Sequence, residues 1–272
     1  MKRLTNRVAV VTGAAGGIGR ATSERLAAEG CDVAVVDVDA EGAAQTAYQV
    51  RKSGRRASVH ILDVADQTSM AALPEQVIAE HGAVHVLVNN AGVTIALTFE
   101  EHSIEDLQWI IGVNLWGVLY GCKFFLPHLR AVDEAHIVNI SSMAGFLGLP
   151  MQSSYCVTKF AVRGFSESLR AELATSHIGV TAVFPGPIRT QVLRSSRHAA
   201  DGAVDRLADL LEKHARPPAV VAERIVKALR GRQTHVSVGA EAYLTDWLSR
   251  ASPRVAGKLL GWGFALTRPR GA

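Results

Sequence analysis

The chain has 272 residues, 48% of them hydrophobic, enough to fill a substantial core in one large domain or two small ones and to exclude a disordered chain. The 29 Lys and Arg against 25 Asp and Glu leave a net charge of +4, too small an excess by itself to argue for a nucleic-acid footprint. Three cysteines, Cys31, Cys122 and Cys156, are odd in number and far apart, so neither a disulfide framework nor a zinc site is expected and the thiols are read as reduced.

The opening stretch Met1 to Arg7 lacks the apolar segment of a signal peptide, and no uninterrupted apolar run long enough to span a bilayer is read further on. The expectation is a soluble cytoplasmic protein. Short β-branched runs then recur at Val8–Val11, Val33–Val36, Ser58–Leu62, Val84–Val88, His136–Ile140, Val180–Phe184 and His235–Val238, with amphipathic segments between them. Continuous apolar runs with little alternation are what a parallel sheet covered by helices on both faces produces. The predicted fold is therefore α/β, a single-domain Rossmann-type doubly wound sheet of about seven strands over residues 1–272, with no linker or repeat dividing it. The polar stretch 191–218 reads as a substrate lid, and 240–272 as a C-terminal helical extension.

Behind the first run comes Thr12-Gly13-Ala14-Ala15-Gly16-Gly17-Ile18-Gly19 and then a good helix sequence. Glycines let the backbone approach a pyrophosphate, and the free N–H groups of the following helix favour an anion. A plain tight turn explains the glycines as well, but the second run ends at Asp37, eighteen residues past Gly19, close to the distance at which a ribose-binding carboxylate stands. Asp37 would accept from the adenosine 2′-hydroxyl and repel a 2′-phosphate, and neither Gly16 nor Val38 is a Lys or Arg that would welcome one. NAD is expected over NADP. Asp39 and Glu41 add negative charge just beyond, with a solvated helix start as the alternative reading.

Tyr155 and Lys159 are four residues apart, so in a helix a phenol and an ammonium share one face. A fixed cation favours the phenolate, which makes the pair a candidate for general acid-base work. An ordinary surface pair is the alternative until the rest of the chain is considered.

Thr12-Gly13-x-x-x-Gly17-x-Gly19, Asn89-Asn90-Ala91-Gly92, Asn114, Ser142, Tyr155-x-x-x-Lys159 and Pro185-Gly186 occur in this order within the first 190 residues. Together they resemble a classical short-chain dehydrogenase/reductase. The resemblance implies that Gly13, Gly17, Ile18 and Gly19 hold the pyrophosphate, that Asp63 and Val64 lie beside the adenine, and that Asn90, Ala91 and Gly92 border the cofactor. For Asp63 a helix cap is the alternative, and for Asn90 a tie within the sheet. Pro185, Gly186, Ile188 and Thr190 would hold the nicotinamide end, unless that loop is a rigid turn alone.

The same resemblance makes Tyr155 the general acid/base, with Lys159 lowering its pKa and holding the nicotinamide ribose. Ser142, thirteen residues before Tyr155, would hold the substrate oxygen, in preference to neighbouring Ser141. Asn114 would hold a water linking the lysine to solvent; bonding within its own helix is the other reading. The resemblance also implies a homotetramer or dimer through the helices carrying Asn114 and Tyr155; Trp109 and Trp116 are read separately as packing in a helix interface.

Met143, Phe146, Leu147, Met151 and Thr94–Leu97 are candidate pocket neighbours, mostly apolar, which suits a medium-sized secondary alcohol or ketone. No Gly-x-Ser-x-Gly elbow frames either serine, and His81, His85, His128, His177 and His235 lack paired spacing, so neither hydrolase chemistry nor a metal is expected. Cys156 reads as a core thiol. From Arg250 onward there are five basic residues and no acid, with Val255, Leu259, Trp262 and Leu266 at helical spacing. That tail is read as packing over the pocket or a subunit interface, or else as an interfacial membrane helix. Against the enzyme reading stand a non-catalytic NAD-binding scaffold or sensor and a membrane-peripheral reductase that uses this tail.

Overall fold

The β-branched runs form one sheet of seven parallel strands: β1 (Val8–Thr12), β2 (Asp32–Asp37), β3 (Ala57–Ile61), β4 (Val86–Asn89), β5 (Ala135–Ile140), β6 (Ile178–Pro185) and β7 (His235–Val238). The computed structural model describes residues 1, 3–190, 215–252, 254, 257 and 258. Strand boundaries depart from the sequence expectation by at most two residues. The strands lie in the order β3-β2-β1-β4-β5-β6-β7, so the direction of winding reverses between β1 and β4. In an open parallel sheet the crevice at that reversal, outside the carboxyl ends of the strands, is where a ligand binds.

Eight α-helices are described: α1 (Gly17–Ala28), α2 (Ala40–Lys52), α3 (Gln67–His81), α4 (Ile104–Ile111), α5 (Gly117–Arg130), α6 (Ser153–Glu172), α7 (Pro218–Gly231) and α8 (Ala240–Ala251). Successive strand residues point to opposite faces. Val11, Val33 and Val35 accordingly pack with Leu26, Ala47, Val50 and Ile225 of α1, α2 and α7. Val10, Ala34 and Leu87 pack on the other face with Leu73, Val77, Phe125, Leu129 and Val162 of α3, α5 and α6. Burial of a side chain such as Phe125 or Leu129, both fully enclosed, stabilises by roughly 1.5–3 kcal/mol.

The helix starts show which carboxylates are structural. Asp39 caps α2 by accepting from Gly42 N at 3.1 Å, which matches the helix-start alternative for it. Asp66 caps α3, accepting from Thr68 N at 3.0 Å and Ser69 N at 3.3 Å. The capping alternative weighed for Asp63 therefore falls to Asp66, while Asp63 is exposed and only closes a local turn to Ala65 N at 2.9 Å.

Residues Ile104–Arg130 run as one helical stretch that is long and apolar enough to cross a bilayer by length and composition, a property the sequence reading passed over. Its apolar side goes into the core instead, through Val113, Val118, Cys122, Phe125 and Leu129. Between α4 and α5 the stretch contains a π-helical turn, Gly112–Trp116, in which Gly117 N–H bonds to the carbonyl of Gly112, five residues back. Most of the expected lid lies outside the described residues; its last part, Ala215–Pro218, leads into α7. Of the tail, Val255, Leu259, Trp262 and Leu266 also lie outside them.

Five described histidines are held neutral by burial. His60, His81, His85 and His235 have their pKa pushed below the usual 6.5, and His136, enclosed between β5 and β6, is pushed down to about 3. The unfolded chain takes up these protons more readily than the folded one, so the stabilisation is complete above about 6.5 and is lost progressively as pH falls below it. Urea-unfolding midpoints should therefore decline between pH 7.5 and 5. Equal midpoints at the two values would remove the buried histidines as the cause of acid sensitivity.

Candidate active site and dinucleotide site

The glycine turn is shaped by what presses on it. Gly13 has φ +62°, and a Cβ there would lie 2.7 Å from Ala91 Cα, while one on Gly19 would lie 2.0 Å from the Gly13 carbonyl oxygen. Only a bare backbone fits. Asn90 closes the turn from β4: its Nδ2 donates to the carbonyls of Thr12 at 2.9 Å and Gly13 at 3.0 Å. Thr12 Oγ1 in return accepts from the backbone N–H of Asn90 at 3.0 Å and Ala91 at 3.1 Å. Asn90 thus has the tying role that was one of its two readings. Asn89 ties the sheet more deeply, donating to Asn139 Oδ1 at 2.9 Å.

This cradle suits a dinucleotide. The N-terminus of α1 has no side-chain cap and no acid in its first turn, and a Cβ on Gly16 would meet nothing within 4 Å. Free helix N–H groups beside open space make a site for a pyrophosphate. At the end of β2, Asp37 accepts from Ala15 N at 2.8 Å and Asp39 N at 3.0 Å, which fixes its carboxylate beside the turn with lone pairs to spare. Val64 is buried against Gly117 of α5. Ile18 and Ile188 pack on the core of the same face, and Thr190 Cγ2 comes within 3.1 Å of where a Cβ on Gly17 would stand. The loop after β6 therefore reaches the glycine turn, as required of a segment that closes the other end of the site.

One residue of this end escaped the sequence reading. Arg20 donates from its guanidinium to the carbonyl of Ala15 and to that of Gly42 at 3.3 Å, and from Nε to Thr46 Oγ1 at 3.0 Å. It locks the outer side of the glycine turn to α2. The signal was a cation in the first turn of a helix, where the dipole disfavours it unless its charge is engaged elsewhere.

The proton-handling groups converge from three elements at the carboxyl edge. Tyr155 and Lys159 share a face of α6, with Lys159 Nζ 5.5 Å from the centre of the phenol ring. Lys159 is 3% exposed and donates from Nζ to the carbonyl of Ile140, the last residue of β5, at 3.1 Å. Ser142, two residues on, faces the Tyr155 phenol and favours its ionised form. It also accepts from Ala144 N at 3.1 Å, which fixes its rotamer. Ser141, the rejected neighbour, turns inward and donates to the carbonyl of Lys159 at 2.8 Å.

Burial sets the proton affinities here. It raises the Tyr155 phenol above its usual 10, against the opposing influence of Ser142, and it lowers Lys159 to about 8. The expectation that Lys159 lowers the tyrosine's pKa meets a stronger opposing cause: desolvation favours the neutral form of both groups.

Asn114 sits in the π-helical turn, and its bonds leave its own helix. Its Oδ1 accepts from Val93 N at 2.8 Å, and its Nδ2 donates to Val93 O at 2.9 Å and to Thr158 Oγ1 at 3.1 Å. Both amide donors are used, and one lone pair of Oδ1 remains. A Cβ on Gly92 would stand 3.4 Å from both Asn114 Oδ1 and Lys159 Nζ, so the two side chains meet beside the Gly92 backbone.

Pocket assignments need one correction. Phe146 is buried on Phe184, with ring centres 4.3 Å apart, and on His235 at 5.4 Å, so it belongs to a core stack rather than a pocket wall. Thr94, Ile95 and Ala96 are buried too. Met143, Leu147 and Met151 stay partly open, and Met151 has φ +60°. His102, not singled out from sequence, joins the Thr98 carbonyl at 2.9 Å to Ser154 Oγ at 2.9 Å, tying this loop to the residue before Tyr155. Cys156 is a buried thiol, as expected. Among the described residues no group of three or more metal-ligating side chains comes together.

Two serines in sequence thus have separable duties. Ser142→Ala should lower kcat by about a hundredfold, the usual scale for one lost donor to a reacting oxygen, with little change in stability. Ser141→Ala should cost about 1 kcal/mol of stability and leave kcat nearly intact. Steady-state kinetics and denaturant titration on both variants check this, and a reversed pattern would exchange their roles.

Comparison with known proteins agrees with this geometry. The family model described as short chain dehydrogenase matches residues 7–201. SadH of Mycobacterium tuberculosis is 37% identical over 269 residues, covering 97% of this chain and 98% of that one. Cyclohexanol dehydrogenase of an Acinetobacter strain is 33% identical over 198 residues, 72% of this chain and 79% of that enzyme. A short-chain dehydrogenase/reductase from Burkholderia phymatum, solved in complex with NAD, superimposes with a TM-score of 0.83 at 27% identity, covering 99% of this chain and 98% of that one. The chain is a member of the short-chain dehydrogenase/reductase family of oxidoreductases.

Proposed function

We propose that the protein transfers a hydride between NAD and a medium-sized secondary alcohol or its ketone, with Tyr155 as general acid/base. The observation that carries this is the Tyr155 phenol with Lys159 Nζ 5.5 Å from its ring centre and Ser142 acting on it, at the same carboxyl edge of the sheet as an uncapped helix N-terminus and Asp37. The α1 N-terminus would hold the pyrophosphate, Asp37 the adenosine ribose, and the loop from Pro185 to Thr190 the nicotinamide end. An oxidised nicotinamide supplies a hydride acceptor and a positive charge at this edge.

In the oxidative direction Ser142 holds the substrate oxygen and Tyr155 takes the hydroxyl proton; in reduction Tyr155 returns it. Lys159, charged below about 8, supports the phenolate that burial alone disfavours. The remaining lone pair of Asn114 Oδ1 gives a water a place next to Lys159, through which the proton reaches solvent. Preference for NAD over NADP follows from the Asp37 carboxylate and from Arg20, whose guanidinium is engaged by backbone carbonyls rather than offered to a phosphate. The activity of the Acinetobacter relative, as its name gives it, supports a secondary alcohol as the substrate class.

Tyr155→Phe should reduce turnover of secondary alcohols by roughly two to four orders of magnitude. The check is NADH absorbance over a panel of cyclic and linear secondary alcohols, with NADP run in parallel. Unchanged turnover in Tyr155→Phe would remove the mechanism, and equal rates with NADP would remove the role given to Asp37.

The protein also fits a homo-oligomer. On one face of the helix carrying Asn114, Trp116, Tyr120 and Phe124 stack in series with ring centres 5.4 and 5.9 Å apart, and Trp116 is 48% exposed. Val157 and Phe160 of α6 are exposed as well. Light scattering should give a mass above 29.0 kDa that falls toward it in Trp116→Glu; a monomeric wild type would refute this assembly.

A further inference from the structure

The loop after β6 is held from a direction that none of the site motifs uses. Arg189 N donates to the Arg216 carbonyl at 2.9 Å and Arg216 N to the Pro187 carbonyl at 3.1 Å. These bonds join the loop to the strand-like residues that precede α7, with Ile188 opposite Arg216. Arg216 then reaches past the end of β7, where Nη1 donates to Glu241 Oε2 at 2.6 Å. Glu241 stands in the first turn of α8, where the helix dipole also favours its charge. The turn between β7 and α8 is built around the pair: Gly239 has φ +99°, and a Cβ there would lie 2.5 Å from Arg216 Nη1 and 2.9 Å from Glu241 Oε2.

We propose that Arg216 and Glu241 form a clasp that positions the Pro185–Thr190 loop over the nicotinamide half of the dinucleotide site. This rests on the dinucleotide reading above. The backbone of Arg216 holds the loop while its guanidinium holds Arg216 itself to α8, so the clasp transmits the position of a helix to residues contacting Gly17 through Thr190. The helix does not depend on the clasp. Tyr243 Oη accepts from Arg224 at 2.8 Å, and Ala242 of the same helix is fully buried, so α8 has anchors other than the pair. The adenine end is built around β2 and Asp37, which the hydrogen bonds of the clasp do not involve.

These facts separate a positioning role from a general contribution to stability. In calorimetric titrations of the full chain, Arg216→Gln and Glu241→Gln should each weaken NAD binding roughly fivefold, the scale of one partly exposed ion pair. Binding of AMP, which occupies the adenine end, should be unchanged, and KM for NAD should rise with kcat nearly constant. The exchanged pair Arg216→Glu with Glu241→Arg should recover much of the loss. If the single variants bind NAD as the wild type does, or lose AMP in parallel with NAD, the clasp is refuted and the dinucleotide reading stands. If the wild type binds neither NAD nor AMP, both are refuted.

Discussion

The approach of the glycine turn to the end of β4 is the constraint on which the rest of the site depends. Asn90 holds the carbonyls of Thr12 and Gly13, and Thr12 holds the N–H groups of Asn90 and Ala91. These reciprocal bonds cross the point where the sheet reverses its winding. They fix the spacing between the strand that offers a helix N-terminus and the strand that leads, through Gly92 and Val93, to Asn114 and Lys159. The glycine turn and the Asn114–Lys159 region are thus positioned through one small group of polar atoms.

Much of this was legible in the sequence because it rests on short-range rules. Parallel strands buried on both faces read as apolar runs, and the backbone clearance at Gly13 and Gly19 admits no side chain. The four-residue spacing of Tyr155 and Lys159 places them on one side of a helix whatever surrounds it. The distinction between Ser142 and Ser141, drawn from the family's spacing, has a physical counterpart in the different contacts of two adjacent side chains, Ser141 turned to the Lys159 carbonyl and Ser142 to Ala144 N.

The features that were not legible depend on partners distant in the chain. Phe146 is part of a core stack because Phe184 and His235, on two other strands, close around it. Arg20 finds its carbonyls in α2. The Tyr155 phenol is raised rather than lowered because the whole carboxyl edge desolvates it, and no local pattern reports that. The continuous helix from Ile104 to Arg130 was overlooked as an apolar stretch because its polar interruptions, Gln108, Asn114 and Lys123 among them, conceal its length in the sequence.

The π-helical turn at Gly112–Trp116 makes chain length itself part of the architecture of the candidate site. One residue corresponds to about 100° of rotation along a helix. Shortening this turn by one residue would carry Val118, Cys122 and Phe125 away from the sheet or swing Asn114 away from Lys159, and no side-chain substitution could restore both. Tolerance of change in this helix should therefore be generous for residue identity on its outer face and nearly absent for insertions and deletions. The extra residue is a phase shift that lets one rod serve two differently oriented surfaces, the core below and the reaction centre beside it.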